Sequence, residues 1–158
     1  MRAGIGYDIH RLTPGRALIL GGVTIEHSHG LDGHSDADVI LHAMIDAMLG
    51  AAGLGDIGLH FPPTDEQFRD VSSLELLEKA RSLVHSSGYR VLNVDATVVA
   101  ELPHLQPHAE RMREAIGRVL GISPAQINIK ATTNEGMGPE GRQEAISAQA
   151  IVLLKESE

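Results

Sequence analysis

The chain has 158 residues, 42% hydrophobic and 22% charged, with 13 Lys and Arg against 21 Asp and Glu for a formal net charge of −8. That length bounds it to one compact domain able to bury a core without covalent staples, and the composition excludes a disordered chain. The absence of Cys removes disulfides, thiolate metal sites and a cysteine nucleophile, and it fits a reducing compartment. No basic run is present to hold nucleic acid or an anionic membrane surface. The start, Met1 to Gly6, has no apolar signal stretch, and no apolar run approaches the ~20 residues that span a bilayer. These features predict a cytoplasmic protein with no nucleic-acid or membrane partner. Nine His, six of them before position 61, point instead to a metal site built from His and carboxylates.

Residues Ala3 to His10 alternate, with Ala3, Ile5, Tyr7 and Ile9 apolar, which predicts a strand with that face in the core. Leu18–Leu20, Gly21-Gly22 and Val23–Ile25 read as a small hairpin. Glu26 to His34 reads as a Gly/His/Ser loop. The first helix is expected to start at Ser35 as N-cap and to end at the glycines 50, 53 and 55. A long loop through Pro62-Pro63 to about Val71 follows. Ser72-Ser73-Leu74-Glu75 has the form of a capping box for a second helix that ends before Gly88. Val91 to Glu101 is a predicted strand, Pro107 to Leu120 a third helix, and Ile127 to Thr133 a further strand. Asn134 to Gln143 reads as a Gly-rich loop, and Ala145 to Leu154 as a closing strand. The order predicts an α+β domain over residues 1–158, a mixed sheet with helices packed on one side.

Asp8 and His10 lie two apart on the first strand and so share a face, about 7 Å apart at the backbone. His42 falls on the polar stripe Asp38, His42, Asp46 of the first helix. Two imidazoles and one carboxylate with a fourth position open form the ligand set of a catalytic zinc. Asp38 or Asp46 is a candidate acceptor for the second ring N–H of a liganding His. The plainer alternative is a strand end and a surface His. His34-Ser35-Asp36 precedes the helix, where backbone N–H groups can hold an anion, although capping alone accounts for Ser35. Lys130-Ala131-Thr132-Thr133-Asn134-Glu135 offers hydroxyls and amides to a diphosphate and a carboxylate to a hard cation, although Thr at a strand end is also an ordinary β-former. No Walker motif occurs, and Gly4-x-Gly6 lacks the rest of a dinucleotide fingerprint. Arg142 stands among glycines, at a turn, a phosphate or a subunit axis.

Gly6-Tyr7-Asp8-Ile9-His10, Gly21-Gly22-Val23, the block from His34-Ser35-Asp36 to His42-Ala43, Gly55-Asp56-Ile57-Gly58 with Phe61-Pro62-Pro63-Thr64-Asp65, and Lys130-Ala131-Thr132-Thr133 with Glu135 together resemble the 2-C-methyl-D-erythritol 2,4-cyclodiphosphate synthase family, in register from Met1 to about Leu154. The resemblance implies a phosphorus–oxygen lyase of the non-mevalonate isoprenoid pathway. In that reaction the 2-phosphate of 4-diphosphocytidyl-2-C-methyl-D-erythritol 2-phosphate attacks the β-phosphorus, CMP leaves and a cyclic diphosphate forms. It also implies a homotrimer with active sites between adjacent subunits, one zinc per site, magnesium or manganese at the diphosphate, and a place for an isoprenoid diphosphate on the trimer axis.

Carried over residue by residue, Asp8, His10 and His42 would hold zinc and Glu135 the second ion, while His34 and Thr133 would stabilise the transition state. Ser35, Asp56, Ile57 and Gly58 would hold the erythritol and 2-phosphate end, with the loop Phe61, Pro62, Pro63, Thr64 and Asp65 closing over it. Ala100, Pro103, His104, Leu105, Ala131 and Thr132 would line the cytidine diphosphate pocket, and Arg142 would reach phosphate. The sequence departs from the family pattern at His104, where Lys usually follows the Pro, and at Pro139, where an aromatic often sits. Two other functions fit the same ligands: a zinc phosphohydrolase that activates water, and a non-catalytic trimeric module that binds metal or isoprenoid diphosphate.

Overall fold

The computed structural model describes residues 1–157. In chain order it runs β1 (Arg2–Pro14), β2 (Leu18–Leu20), β3 (Val23–Ile25), β4 (His29–Leu31), α1 (Val39–Ala52), α2 (Ile57–His60), α3 (Ser73–Ser86), β5 (Tyr89–Val99), α4 (Ala109–Leu120), β6 (Ile127–Thr132), α5 (Gly138–Gly141) and β7 (Ala145–Glu156). Five strands form one mixed sheet in the order β4-β1-β7-β5-β6, with β5 and β6 parallel and the other pairs antiparallel. The β2–β3 hairpin stands apart as expected. Helices α1, α3 and α4 pack against the sheet and each other, giving the predicted α+β architecture.

The period of two in β1 is real, but the face is the opposite of the expected one. Ile5 and Tyr7 are 69% and 52% exposed, and Ile9 and Ile151 lie beside them on the open face of the sheet. The covered face is that of Gly4, Gly6, Asp8 and His10. A Cβ at Gly6 would stand 2.0 Å from the carbonyl oxygen of Ala43, and one at Gly4 2.0 Å from that of Ala47. Glycine therefore lets α1 lie directly on the strand backbone. Apolarity alone misassigned this face, because the tightest contact is made where side chains are absent.

Helix α1 begins at Val39, not at Ser35. Ala37 has φ +58°, a left-handed conformation that no helix can pass through, and Ser35 Oγ accepts the Ala37 N–H in a local turn. The N-cap is Asp38, whose carboxylate accepts from Leu41 N and, at 3.0 and 2.7 Å, from Gly21 N and Gly22 N of the hairpin. This buried carboxylate ties hairpin and helix together. Burial pushes its pKa up to about 6, and the nearby Asp36 charge adds to this against the three amide donors. The helix is buried nearly all round, and Gly53 closes it in the left-handed conformation.

Other boundaries shift for local reasons. The loop after Glu26 contains β4, and the segment to Val71 is broken by α2 and by a 3₁₀ turn at Glu66–Phe68. Residues Gln106–His108 form a 3₁₀ turn ahead of α4, and the Gly-rich loop contains α5. No helix among the described residues is long and apolar enough to cross a membrane.

Candidate active site

Because α1 lies on the glycine face of β1, His42 comes down on Asp8 and His10. Asp8 Oδ2 is 2.8 Å from His10 Nε2 and 3.0 Å from His42 Nδ1, and the two ring nitrogens are 3.1 Å apart. One ligand atom from each residue lies within 4.8 Å of the others. The outer ring nitrogens point away from this cluster to partners of their own. His10 Nδ1 is 2.7 Å from the Asp32 carbonyl, and His42 Nε2 is 3.1 Å from Ser35 Oγ and 3.0 Å from Ser73 Oγ. Burial raises the Asp8 carboxyl, but hydrogen bonds from His10 and His42 outweigh it and hold the group well below the usual carboxylate range. Burial lowers the His10 imidazole, and the Asp8 carboxylate more than offsets this, so its pKa is raised. Three inward donors with satisfied outer atoms are what a tetrahedral divalent metal with one open position requires, so the residues fit zinc.

Asp38 and Asp46, the expected outer partners of a ligand His, do other work. Asp38 caps α1. Asp46 Oδ1 accepts from Ile57 N at 2.7 Å and so fixes the start of α2, where Asp56 caps Leu59 N and Gly58 is exposed. Burial raises the Asp46 carboxyl against that hydrogen bond. The segment Phe61 to Val71 folds back over His34–Asp36. His34 Nε2 is 3.1 Å from the Asp65 carbonyl, Asp70 N donates to the His34 carbonyl at 2.9 Å, and Asp36 N donates to that of Val71 at 3.1 Å. Phe61 meets Phe68 edge-to-face at 5.5 Å. Pro62 is half-buried, and Pro63 and Thr64 are exposed.

A second cluster lies at the far edge of the sheet. Ala100, Pro103, His104, Leu105, Ala131, Thr132 and Thr133 line one cavity of about 390 Å³, together with Gln106 and Pro107. The two segments meet because β5 and β6 run parallel and end side by side. Beyond them Glu135 holds φ +51°, and Thr133 Oγ1 donates to Glu135 Oε1 at 3.3 Å. Glu101 accepts from Asn134 N at 3.0 Å, and the buried Glu140 accepts from Ser147 Oγ at 2.7 Å and from Asn134 Nδ2 at 3.3 Å. Sequence reasoning missed both glutamates, as it missed Ser73, whose sequence signal is spent on starting a helix. Arg142 pairs bidentately with Glu144 through bonds of 3.0 and 3.2 Å.

The His-carboxylate cluster and this cavity lie at the same end of the sheet, since β1, β5 and β6 point the same way. In the strand order β7 and β5 separate β1 from β6, so the two lie three strand spacings apart, roughly 14 Å. A half-buried candidate metal triad and an open cavity partly lined by Thr hydroxyls on one α+β scaffold fit a metal-dependent enzyme of small-molecule substrates.

The chain belongs to the YgbB family, whose model matches residues 1–155. It is 57% identical over 157 residues to the 2-C-methyl-D-erythritol 2,4-cyclodiphosphate synthase of Syntrophomonas wolfei, covering 99% of this chain and 100% of that one. Among solved structures it resembles the bifunctional IspDF from Campylobacter jejuni, with a TM-score of 0.96 and 41% identity over 99% of this chain; it spans only 42% of that longer protein. A CDP-bound 2C-methyl-D-erythritol-2,4-cyclodiphosphate synthase matches with a TM-score of 0.89 and 37% identity, covering 98% of this chain and all of the other. These relatives lend no support to the hydrolase or binding-module readings.

Proposed function

We infer that the protein is a cyclodiphosphate synthase, converting 4-diphosphocytidyl-2-C-methyl-D-erythritol 2-phosphate to the 2,4-cyclodiphosphate and CMP. The observation that carries this reading is the convergence of Asp8, His10 and His42 on one point in a chain 57% identical to a synthase over its whole length. Residues 1–158 act as one catalytic domain.

In this reading Asp8, His10 and His42 hold zinc, and Glu135 with phosphate oxygens holds magnesium or manganese. The bound ions supply Lewis-acid neutralisation of phosphate charge that a protein of net charge −8 does not otherwise provide. The chain's own groups position the reactants. Ser35 and the Asp56–Gly58 turn, anchored by Asp46, receive the erythritol and 2-phosphate end. The Phe61–Asp65 segment, clipped to His34, excludes the water that would hydrolyse the substrate. The cavity between Ala100–Gln106 and Ala131–Thr133 takes the cytidine diphosphate, as the CDP-bound relative supports. Thr133 and His34 would stabilise the transition state, and Arg142 would reach phosphate from its loop. Ring closure is intramolecular, so the rate gain comes from folding the substrate into line.

We propose that the active unit is a homotrimer in which the metal cluster of one copy faces the cavity of the next. Two features support this: the open apolar stripe Ile5, Tyr7, Ile9 and Ile151, which calls for a partner surface, and the distance between the two clusters within one chain. The same stripe, lying on the three-fold axis, would offer an apolar place to an isoprenoid diphosphate. The enzyme would work in the cytoplasm.

Phosphorus NMR of the protein with substrate, zinc and magnesium tests the activity. Cyclic diphosphate and CMP are expected together, and an EDTA-treated sample should give neither. CMP with an open-chain phosphate would mean a hydrolase, and no product from folded, metal-loaded protein would mean a binding module.

A further inference from the structure

The outer nitrogen of His42 faces two hydroxyls, and counting protons separates their roles. To present a lone pair at Nδ1, on the Asp8 side, the ring must carry its proton at Nε2. That proton needs an acceptor, and Ser35 Oγ and Ser73 Oγ lie at 3.1 and 3.0 Å. Ser73 Oγ also makes a short hydrogen bond to Asp36 Oδ1. The carboxylate can only accept, so the Ser73 hydroxyl proton is committed to Asp36. Toward His42, Ser73 then has only lone pairs to offer. Asp36 is itself fixed in place by the Ser73 N–H at 3.0 Å and the Asp38 N–H at 3.2 Å. Ser73 is fully buried, so no water competes for its place. Ser35 Oγ accepts from Ala37 N at 3.1 Å. Its own proton has no lone pair to meet at Nε2.

We propose that Ser73 and Asp36 are positioning residues for the metal centre. The relay His42 Nε2–H to Ser73 Oγ–H to Asp36 fixes the ring orientation and tautomer that present Nδ1 to the metal, and it leaves the Ser35 hydroxyl proton free to donate to a bound phosphate. The proposal rests on reading Asp8, His10 and His42 as the metal site.

The test is zinc affinity, measured on the full-length chain by competition with a chromogenic chelator. Ser73→Ala removes the acceptor and is expected to weaken zinc binding about 10- to 100-fold, the usual effect of losing an outer hydrogen-bond partner. Ser73→Thr, which keeps the hydroxyl, should restore it. Ser72→Ala, which removes the N-cap of the same helix without touching His42, should lower the metal-free melting temperature and leave zinc affinity unchanged. Affinity in Ser73→Ala within about two-fold of wild type would overturn the relay while leaving the metal site standing. A wild-type chain that binds no more zinc than Asp8→Ala would overturn the metal reading itself. A measurement independent of how the variants fold is the His42 Nε2–H resonance of zinc-loaded wild type. A ring proton protected from solvent exchange is expected, and a freely exchanging one contradicts the relay.

Discussion

The two ends of the proposed site are built differently. The metal cluster sits on β1 and α1, where glycines bring two backbones together and every ligand atom has a fixed neighbour. The Thr133–Glu135 turn stands at an exposed strand end with a left-handed Glu135; Glu101 and Glu140 hold Asn134, but the Thr133 and Glu135 side chains bond within the turn, to each other at 3.3 Å. Charge that must be neutralised at one point is held rigidly; the end that admits and releases a large anionic substrate is left open. Preorganisation is thus concentrated where the proposed ion would bind.

The largest effect expected from this contrast is on the rigid side. Asp8→Asn should lower the rate of CMP formation by at least about a thousand-fold, since metal neutralisation of phosphate contributes several kcal/mol to the transition state. Steady-state kinetics check this, and a drop below about ten-fold would break the distinction.

Glycine scanning sharpens the comparison next. Gly6→Ala drives a Cβ into the Ala43 carbonyl and should cost about 3 kcal/mol or more of unfolding free energy. Gly136→Ala, with φ +77° and nothing within 4 Å of the new Cβ, should cost about 1 kcal/mol. Urea unfolding of both variants gives the ranking.

Asp38 supplies a pH test of the scaffold under the metal cluster. Its folded pKa of about 6 lies above the ordinary 3.8, so the folded state binds the proton more tightly than the unfolded chain. Its contribution to stability is therefore largest at low pH, declines as pH rises between those values and levels off above about 6. Asp38→Asn should remove that slope and, by facing one hairpin amide with a donor, cost about 2 kcal/mol at pH 8. Urea midpoints taken from pH 4 to pH 8 measure both.

The smallest effect is expected on the open side. Lys carries a fixed positive charge on a longer, flexible stem, so His104→Lys should lower KM roughly three-fold with kcat unchanged. An unchanged KM would remove His104 from the phosphate contacts.

Much of this was legible in the sequence, for identifiable reasons. Asp8 and His10 share a face because a strand has period two, and His42 joins them from a helix whose position could be guessed. The cavity residues at 100–105 and 131–133 came from the resemblance, and the parallel pairing of β5 and β6 brings them together. What stayed hidden depended on contacts between distant segments. Ala37 in the left-handed region moves the helix start. Gly21 and Gly22 claim Asp38, and Ile57 claims Asp46. Ser73, from another helix, takes the place beside His42 that spacing had offered to carboxylates. The buried face of β1 was misread because a helix resting on glycine leaves no apolar side chain to see.

The central claim is that each active site joins the metal cluster of one copy to the cavity of another, and mixed subunits test it most directly. Asp8→Asn and Thr133→Ala chains should each be nearly inactive alone. Co-expressed and purified as hetero-oligomers, they should regain roughly a third of the wild-type rate, because each mixed trimer has both halves intact at one of its three interfaces. Mixed oligomers no more active than either parent would contradict a shared site and place the whole reaction within one chain.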